Sequence, residues 1–487
     1  MLPLQTKTIT KAMMKNKRKK NKKEKSFFTR HASLLILIVL VALGAWVASR
    51  WNVWFKMPDE PAYTASMKPD RILLTFGDSQ EDSRNVSWVC DSVLYDDAYL
   101  ELAEDDSTNG AKRIDANGEV FESRSGKACF YHAKLRQLKA DKRYFYRVST
   151  HGFVSKWYGF RTYPLNRDGL SFIYVGDVQD SIGGKANDYL KMAFRSHPDA
   201  EMLVCGGDLI ERPSDHYYAE TFRDLDSICT AMPFLTVTGN HDYLKGVIKK
   251  LERRFSLTFS YFLDSMVGEN QVYHLNYANA EFFFLDSDRE PNYLYAQRKW
   301  LKEQLEKSTA KWKILVLHHP LFSISGKYNN LMQRWMFDGL VREYGVDLVL
   351  QGHEHEYARM TTEGDSEMMK RTTPVYIVSH CSPKNYKIVF DERFDKYGLS
   401  SRYYQTVKIQ GDTLQMGTYE VYSNSLYDSL QIVKQTGGAT PIVLDFGRQI
   451  PENMSYEVDE GSKKSRQFAE RIKDYCEKHP ERIHREK

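Results

Sequence analysis

FIYVGD (172–177), MLVCGGD (202–208) and FLTVTGNHD (234–242) decide how this chain is read. Each is an apolar run that stops on Gly followed by Asp or Asn. FFFLDSD (282–288), ILVLHHP (314–320) and LVLQGHEH (348–355) repeat the pattern with Asp or His. Apolar runs of about five residues fit strands buried on both faces. Helix-like stretches lie between them: Ala186 to His197, Tyr217 to Ala231, Tyr293 to Glu306 and Asn330 to Glu343. Buried strands alternating with helices predict an α/β domain, and ligands of such sheets sit beyond the carboxyl ends of the strands. The polar residues that end these runs are therefore the candidate site.

Upstream the texture differs. ILLTF (72–76), NVSWVC (85–90), ACFYHAKL (128–135), RYFYRVST (143–150) and WYGFRTY (157–163) alternate apolar and polar residues between turn-rich or charged segments. This predicts a small all-β sandwich over 69–164, with the α/β domain following over 165–425. TPVYIVSH (373–380), YYQTVKIQGD (403–412) and TLQMGTYEVY (413–422) read as further strands of the second domain. Residues 426–487 are expected as an extension, partly helical or disordered, strongly charged from Glu452 onwards.

The N-terminus splits the charge. Residues 1–31 carry eleven Lys or Arg against one acid, a local charge of +10, whereas the whole chain is only +5. The remainder is thus net negative, which removes the basis for a nucleic-acid-binding surface. Ala32 to Ala48 is uncharged, and Trp46, Trp51, Trp54 and Phe55 lie at its end. The expectation is a cytoplasmic basic leader (1–31), a transmembrane anchor (32–50) with an interfacial aromatic belt, and a linker (51–68). The positive-inside rule then places the body across the membrane, facing a periplasm or the cell surface. A cleaved signal peptide is the alternative. With 42% apolar and 27% charged residues in 487, the chain is an ordinary globular one of two or three domains. Six Cys exclude a disulfide scaffold. Cys90 and Cys129 form a candidate pair in an oxidising compartment, and Cys205 reads as a buried core residue.

The run ends present, in order, Asp177 with Gln179, Asp208, Asn240 with His241 and Asp242, Asp286, His318 with His319, and His353 with His355. Singly, each has an ordinary explanation as a turn residue, a helix cap or a satisfied core side chain. Together they gather carboxylate, amide and imidazole donors at one rim, without thiolates, a set that suits Zn, Mn or Fe. A pair of such ions would bind a phosphoryl oxygen and activate water to hydroxide for attack on phosphorus.

The ordered motifs GDVQ (176–179), GGDLIE (206–211), GNHD (239–242), LHHP (317–320) and GHEHEYAR (352–359) resemble the calcineurin-like metallophosphoesterase family. The preceding sandwich, fibronectin type III-like, and the GHxHxYxR ending are similar to its purple acid phosphatase branch. That resemblance implies two sheets packed face to face and flanked by helices. It also implies that Asp177 holds a first metal, Asp208 bridges both, Asn240, His318 and His353 hold the second, and His355 returns to the first. His241 is implied as the non-ligand acid or charge stabiliser, oriented by Asp242. Two departures stand out. The branch has Tyr three residues after the bridging Asp, where this chain has Glu211; the wider family has His where this chain has Gln179. A colourless enzyme is expected, with Gln179 or Glu211 completing the first site. Candidate substrate residues are His319, Lys327, His216 with Tyr217 and Tyr218, Tyr357 and Arg359. The function implied is hydrolysis of a small phosphorylated substrate, a monoester before a diester or nucleotide. The remaining alternative is a non-catalytic envelope binding protein.

Overall fold

The computed structural model describes residues 31–483 except 79, 92–95, 106–107, 224, 247, 262–270 and 367–368. The basic leader up to residue 30 lies outside the described residues. The chain forms two units, Met1–Pro58 with Lys245–Ile248, and Asp59–Leu244 with Lys249–Lys487.

In the first unit, His31–Phe55 is one 25-residue helix of mean hydropathy 2.5, long and apolar enough to cross a membrane. It runs past the expected end at residue 50, so the start of the expected linker is helical. No Pro or Gly interrupts it there, and Trp51 packs on Phe55 at 4.6 Å, one turn on.

The second unit begins with the sandwich. One sheet has the antiparallel order Asp70–Gly77, Gln80–Cys90, Gly126–Leu135, Asn117–Ser123. The other orders Lys112–Asp115, Tyr99–Glu104, Arg143–Thr150 and Phe153–Val154, with Tyr158–Arg161 also on Arg143–Thr150. Alternate residues of both (Leu74, Trp88, Leu100, Tyr131, Tyr146, Val148) form the core. Trp88 Nε1 donates across it to Thr150 Oγ1 at 2.9 Å. Cys90 and Cys129 are register partners on adjacent strands, present as buried free thiols, with pKa values pushed by burial up to about 12 and about 11. The sandwich seats on the next domain through Tyr146 Oη to Thr230 O (2.9 Å) and Ser87 Oγ to Thr258 O (2.8 Å). His132 Nδ1 meets Ser260 Oγ there at 2.8 Å.

Two seven-stranded sheets follow. The first orders Phe234–Thr236, Met202–Cys205, Gly169–Val175, Tyr403–Gln410, Thr413–Glu420, Leu426–Val433 and Ile442–Asp445. The second orders Tyr273–Tyr277, Ala280–Leu285, Trp312–Leu317, Leu348–Gln351, Met369–Val378, Tyr357–Ser366 and Lys396–Gly398. Strand periodicity explains the stacking. Phe282, Phe284, Ile314 and Val316 join Phe172, Tyr174 and Val204 in the core between the sheets. The alternate residues Phe283, Leu285, Leu315 and Leu317 face outward into a cluster with Leu294, Leu301, Phe337 and Leu340. Those last four come from the helices Pro291–Lys307 and Leu331–Glu343, close to their expected spans.

The expected boundary at 425 is corrected. Leu426–Val433 pairs along Thr413–Glu420, and Ile442–Asp445 pairs with it in turn. Tyr427, Leu430 and Ile432 are buried at alternate or near-alternate positions, a strand pattern that the neighbouring Asp428, Ser429 and Gln431 dilute in sequence. The helical part of the extension is Lys463–Lys478, which buries Phe468, Ile472 and Tyr475 against Tyr397 and Phe394.

Candidate metal centre

The parallel strands of both sheets release their chains at one rim, and the site is built from those exits. Asp177, Asp208 and His353 each follow a strand with φ of 45°, 48° and 69°. Left-handed backbone at three non-glycine residues costs roughly 1–3 kcal/mol each. The sharp turns aim the three side chains back into one cleft.

There Asp208, His318 and His353 offer ligand atoms that all lie within 4.8 Å of one another. His318 Nε2 is 3.3 Å from Asp208 Oδ2 and 3.2 Å from Asn240 Oδ1. His353 Nδ1 is 2.9 Å from Asn240 Oδ1. Next to this cluster, His355 Nε2 lies 3.4 Å from Asp177 Oδ1, and the backbone N–H of His353 donates to Asp177 Oδ2 at 2.7 Å. Backbone carbonyls fix two of the imidazoles: His318 Nδ1 meets Gly206 O at 2.9 Å, and His355 Nδ1 meets Lys384 O at 3.2 Å. Each ring thereby points Nε2 into the cleft, the outer-shell arrangement that orients metal-binding histidines.

The motif glycines have a steric reason. An ideal Cβ on Gly239 would stand 2.1 Å from Asp208 Oδ1, and one on Gly352 would stand 2.3 Å from Asp177 Oδ2. Each carboxylate rests on the bare Cα that opens another motif.

Electrostatics favour positive charge here. Burial pushes the Asp208 carboxyl up, but His318 and His241 with its backbone N–H outweigh it and hold the group below the usual range. His318 is raised because Asp208 outweighs its desolvation. His353 is pushed down to about 4 by burial and by His318.

Of the two departures, Gln179 keeps its Oε1 buried without a hydrogen-bond partner, as does Asp177 Oδ1. Glu211 is occupied: its carboxylate binds Lys384 Nζ at 2.7 and 2.8 Å. Two buried unpartnered oxygens beside an imidazole fit a hard cation, so the residues present suit a metal at the first position as well as the second.

His241 lies beside the cluster, its Nε2 3.8 Å from Asp208 Oδ2. Its Nδ1 meets the Glu211 carbonyl at 2.5 Å. A carbonyl only accepts, so Nδ1 carries the proton and Nε2 is the atom free to work on substrate. The orienting role expected of Asp242 thus falls to the Glu211 carbonyl. Asp242 is fully enclosed and accepts from Gly239 N at 2.8 Å, shaping the loop. His319 lines the cleft wall, its ring 4.1 Å from that of His353 and its Nδ1 3.0 Å from Ser287 Oγ. Asp286 is held by Tyr243 Oη and Gln297, away from the cluster.

Other candidates sit elsewhere. Tyr357 and Arg359 are fully buried in the sheet, both bound to Asp428 at 2.7 Å. His216 contacts Ser214 Oγ at 3.1 Å and lies against Tyr217, ring centroids 4.4 Å apart, and Tyr218 is buried on the helix Asp215–Phe222. Lys327 is exposed. Tyr386 and Lys384 escape sequence reading. Tyr386 stacks on His355 at 4.3 Å, nearly parallel, but comes from a loop with no motif, and no signal in a single sequence marks it.

Residues 170–357 match the calcineurin-like phosphoesterase family, and residues 69–162 match the purple acid phosphatase N-terminal domain. The chain therefore joins a calcineurin-like metallophosphoesterase domain to a purple acid phosphatase N-terminal domain. Among individual relatives, it is 24% identical over 283 residues to purple acid phosphatase 15 of Arabidopsis thaliana, covering 51% of this chain and 52% of that one. It is 23% identical to the phosphoenolpyruvate phosphatase of Allium cepa, covering 63% and 68%. The chain spans about half the length of several curated relatives it matches. The solved purple acid phosphatase PPD1 from yellow lupin (Lupinus luteus) seeds shares the fold at a TM-score of 0.64 and 16% identity, over 77% of this chain and 76% of that one.

Proposed function

We propose that this chain is a metal-dependent phosphoesterase acting on small phosphomonoesters, anchored by its N-terminal helix with the catalytic domain exported. The observation that carries the reading is the cleft itself: Asp177, Asp208, Asn240, His318, His353 and His355 converge there, and Asp177 Oδ1 and Gln179 Oε1 are buried without hydrogen-bond partners. Asp177, Gln179 and His355 would hold a first metal, Asn240, His318 and His353 a second, and Asp208 both; the metals are Fe, Mn or Zn. Bound there, the ions supply Lewis acidity toward a phosphoryl oxygen and make a water acidic enough to react near neutral pH.

The chain's own groups do the rest. His241 presents Nε2 to the leaving oxygen, with Nδ1–H donating to the Glu211 carbonyl; in its doubly protonated form the ring gives its Nε2 proton to that oxygen from a fixed direction and is left as the neutral Nδ1–H imidazole. Lys384 keeps Glu211 neutralised, which lowers repulsion of an arriving dianion. His319 closes the wall beside His353 and shapes the space for the substrate.

The test is the initial rate of the full chain in detergent with Mn, Fe or Zn on chromogenic phosphate mono- and diesters, beside Asp208→Asn. Metal-dependent monoester turnover that vanishes in the variant supports the reading. Diester turnover alone would reassign the substrate class, and no turnover with any metal would overturn catalysis. Membrane retention after a salt wash, with the body sensitive to external protease, tests the anchor.

A further inference from the structure

Arg359 lies four residues beyond His355 on the sheet and lines a separate cavity of about 350 Å³. Five cationic side chains face that cavity (Arg359, Arg371, Lys396, Arg448 and Arg482) against three carboxylates. Two of the carboxylates are committed to the fold. Asp395 accepts from the Thr361 backbone N–H and Oγ1, both at 2.6 Å, and from Arg371. Glu452 accepts from Tyr397 N at 3.0 Å and Tyr475 Oη at 2.8 Å. The third, Glu481, is largely exposed.

Of the cations, Arg371 pairs with Asp395 and donates to Thr361 Oγ1 at 2.8 Å, and Arg482 donates to Phe394 O at 3.0 Å and Tyr475 Oη at 2.9 Å; the less satisfied ones are Arg359 and Arg448. Arg359 is fully buried; Asp428 and Asp445 take its Nε and Nη2, yet its Nη1 has no hydrogen-bond partner. Asp395 Oδ2 stands off from that nitrogen at 3.7 Å. Lys396 sends its ammonium to two carbonyls, Gly447 O at 2.8 Å and Ile450 O at 2.7 Å. Arg448 is exposed and 3.6 Å from Asp445. Burial, then repulsion from Arg448 and Arg359, lowers the pKa of Arg371. An N–H left without an acceptor in so closed a place is destabilising. An acceptor arriving in the cavity would remove that cost.

We propose that this cavity is a second anion site, taking a phosphate dianion, either free or as a monoester. Guanidinium forks converging from three elements match the oxygens of a tetrahedral dianion better than a single carboxylate does. The site shares no residue with the metal cleft.

Titration calorimetry on the full chain in detergent, stripped of metal with a chelator and held at constant ionic strength, tests it. The probes are inorganic phosphate and phenylphosphonate; the variants are Arg448→Glu, Arg371→Gln and Asp208→Asn. Wild type and Asp208→Asn are expected to bind equally, and the two Arg variants at least tenfold more weakly, with Arg448→Glu unchanged in ligand-free melting. Binding of both probes assigns the site to phosphate itself, and binding of the phosphonate alone assigns it to an esterified ligand. Equal affinity in the Arg variants, loss of binding in Asp208→Asn, or no binding by wild type would overturn it.

Discussion

Replacing Gly239 by Ala puts a methyl where the Asp208 carboxylate now rests. The added carbon would meet Asp208 Oδ1 at 2.1 Å, Asp208 N at 2.4 Å and Asp208 Cγ at 2.7 Å. An ordinary contact begins at 3.4 Å, so loop and carboxylate must part by more than 1 Å. Asp208 Oδ1 also receives the backbone N–H of His241 at 2.9 Å, so the shift carries the His241 and Asn240 loop with it. A displacement of about 1 Å at reacting groups costs about a hundredfold in rate. Overpacking costs about 1–3 kcal/mol of stability. Gly239→Ala is therefore expected to fold, to lose about a hundredfold in kcat/KM on a phosphate monoester, and to hold less metal by elemental analysis. Gly339→Ala is the control. Its Cβ would meet nothing within 4 Å inside a helix, so it should leave the rate unchanged and raise stability by about 0.5–1 kcal/mol. Metal content and kcat/KM of Gly239→Ala within threefold of wild type would refute the close-approach argument.

Asp428→Leu should destabilise by about 3–5 kcal/mol in urea titration, because it leaves the buried Arg359 without its main partner. Tyr357→Phe should cost only about 1 kcal/mol, and equal losses would contradict this ranking. His132, pushed down to about 4 by burial and Lys134, folds neutral, whereas the unfolded side chain titrates near about 6.5. Its contribution, at most about 3 kcal/mol, is present above pH ~6.5 and is lost as the pH falls toward about 4. The stability curve of His132→Gln should be flatter over that window, and parallel curves would exclude the effect. Loaded with iron, the protein should show no tyrosinate-to-iron absorption band, since position 211 carries Glu held by Lys384; a visible band would show a phenolate ligand from elsewhere.

The candidate residues of the cleft could be read from the sequence because each follows on a buried apolar run, so the strand that predicts the fold also places the candidate side chain. The same holds for the sandwich strands with a core-facing side, such as NVSWVC and RYFYRVST. Strands KRID and NGEVFES escaped because they are edge strands with charged, mostly exposed side chains. Asp428 and Tyr386 escaped for a different reason. Their partners lie 71 residues away for Tyr357 and on another loop for His355, and no local pattern encodes such a meeting. The role given to Asp242 went to a backbone carbonyl, which carries no side-chain signature at all.

The Asp428 contact also orders events during synthesis. The strand that begins at Tyr357 leaves the ribosome well before residues 428 and 445, which neutralise Arg359 near its start. Until both carboxylates have emerged, a permanent positive charge must stay in water, and the segment bearing His353 and His355 has no settled sheet to leave from. Settling of this sheet is thus tied to the synthesis of residues 428 and 445. A product ending before residue 428 would leave Arg359 without the carboxylates that neutralise it, and is expected to be an exposed, protease-sensitive chain.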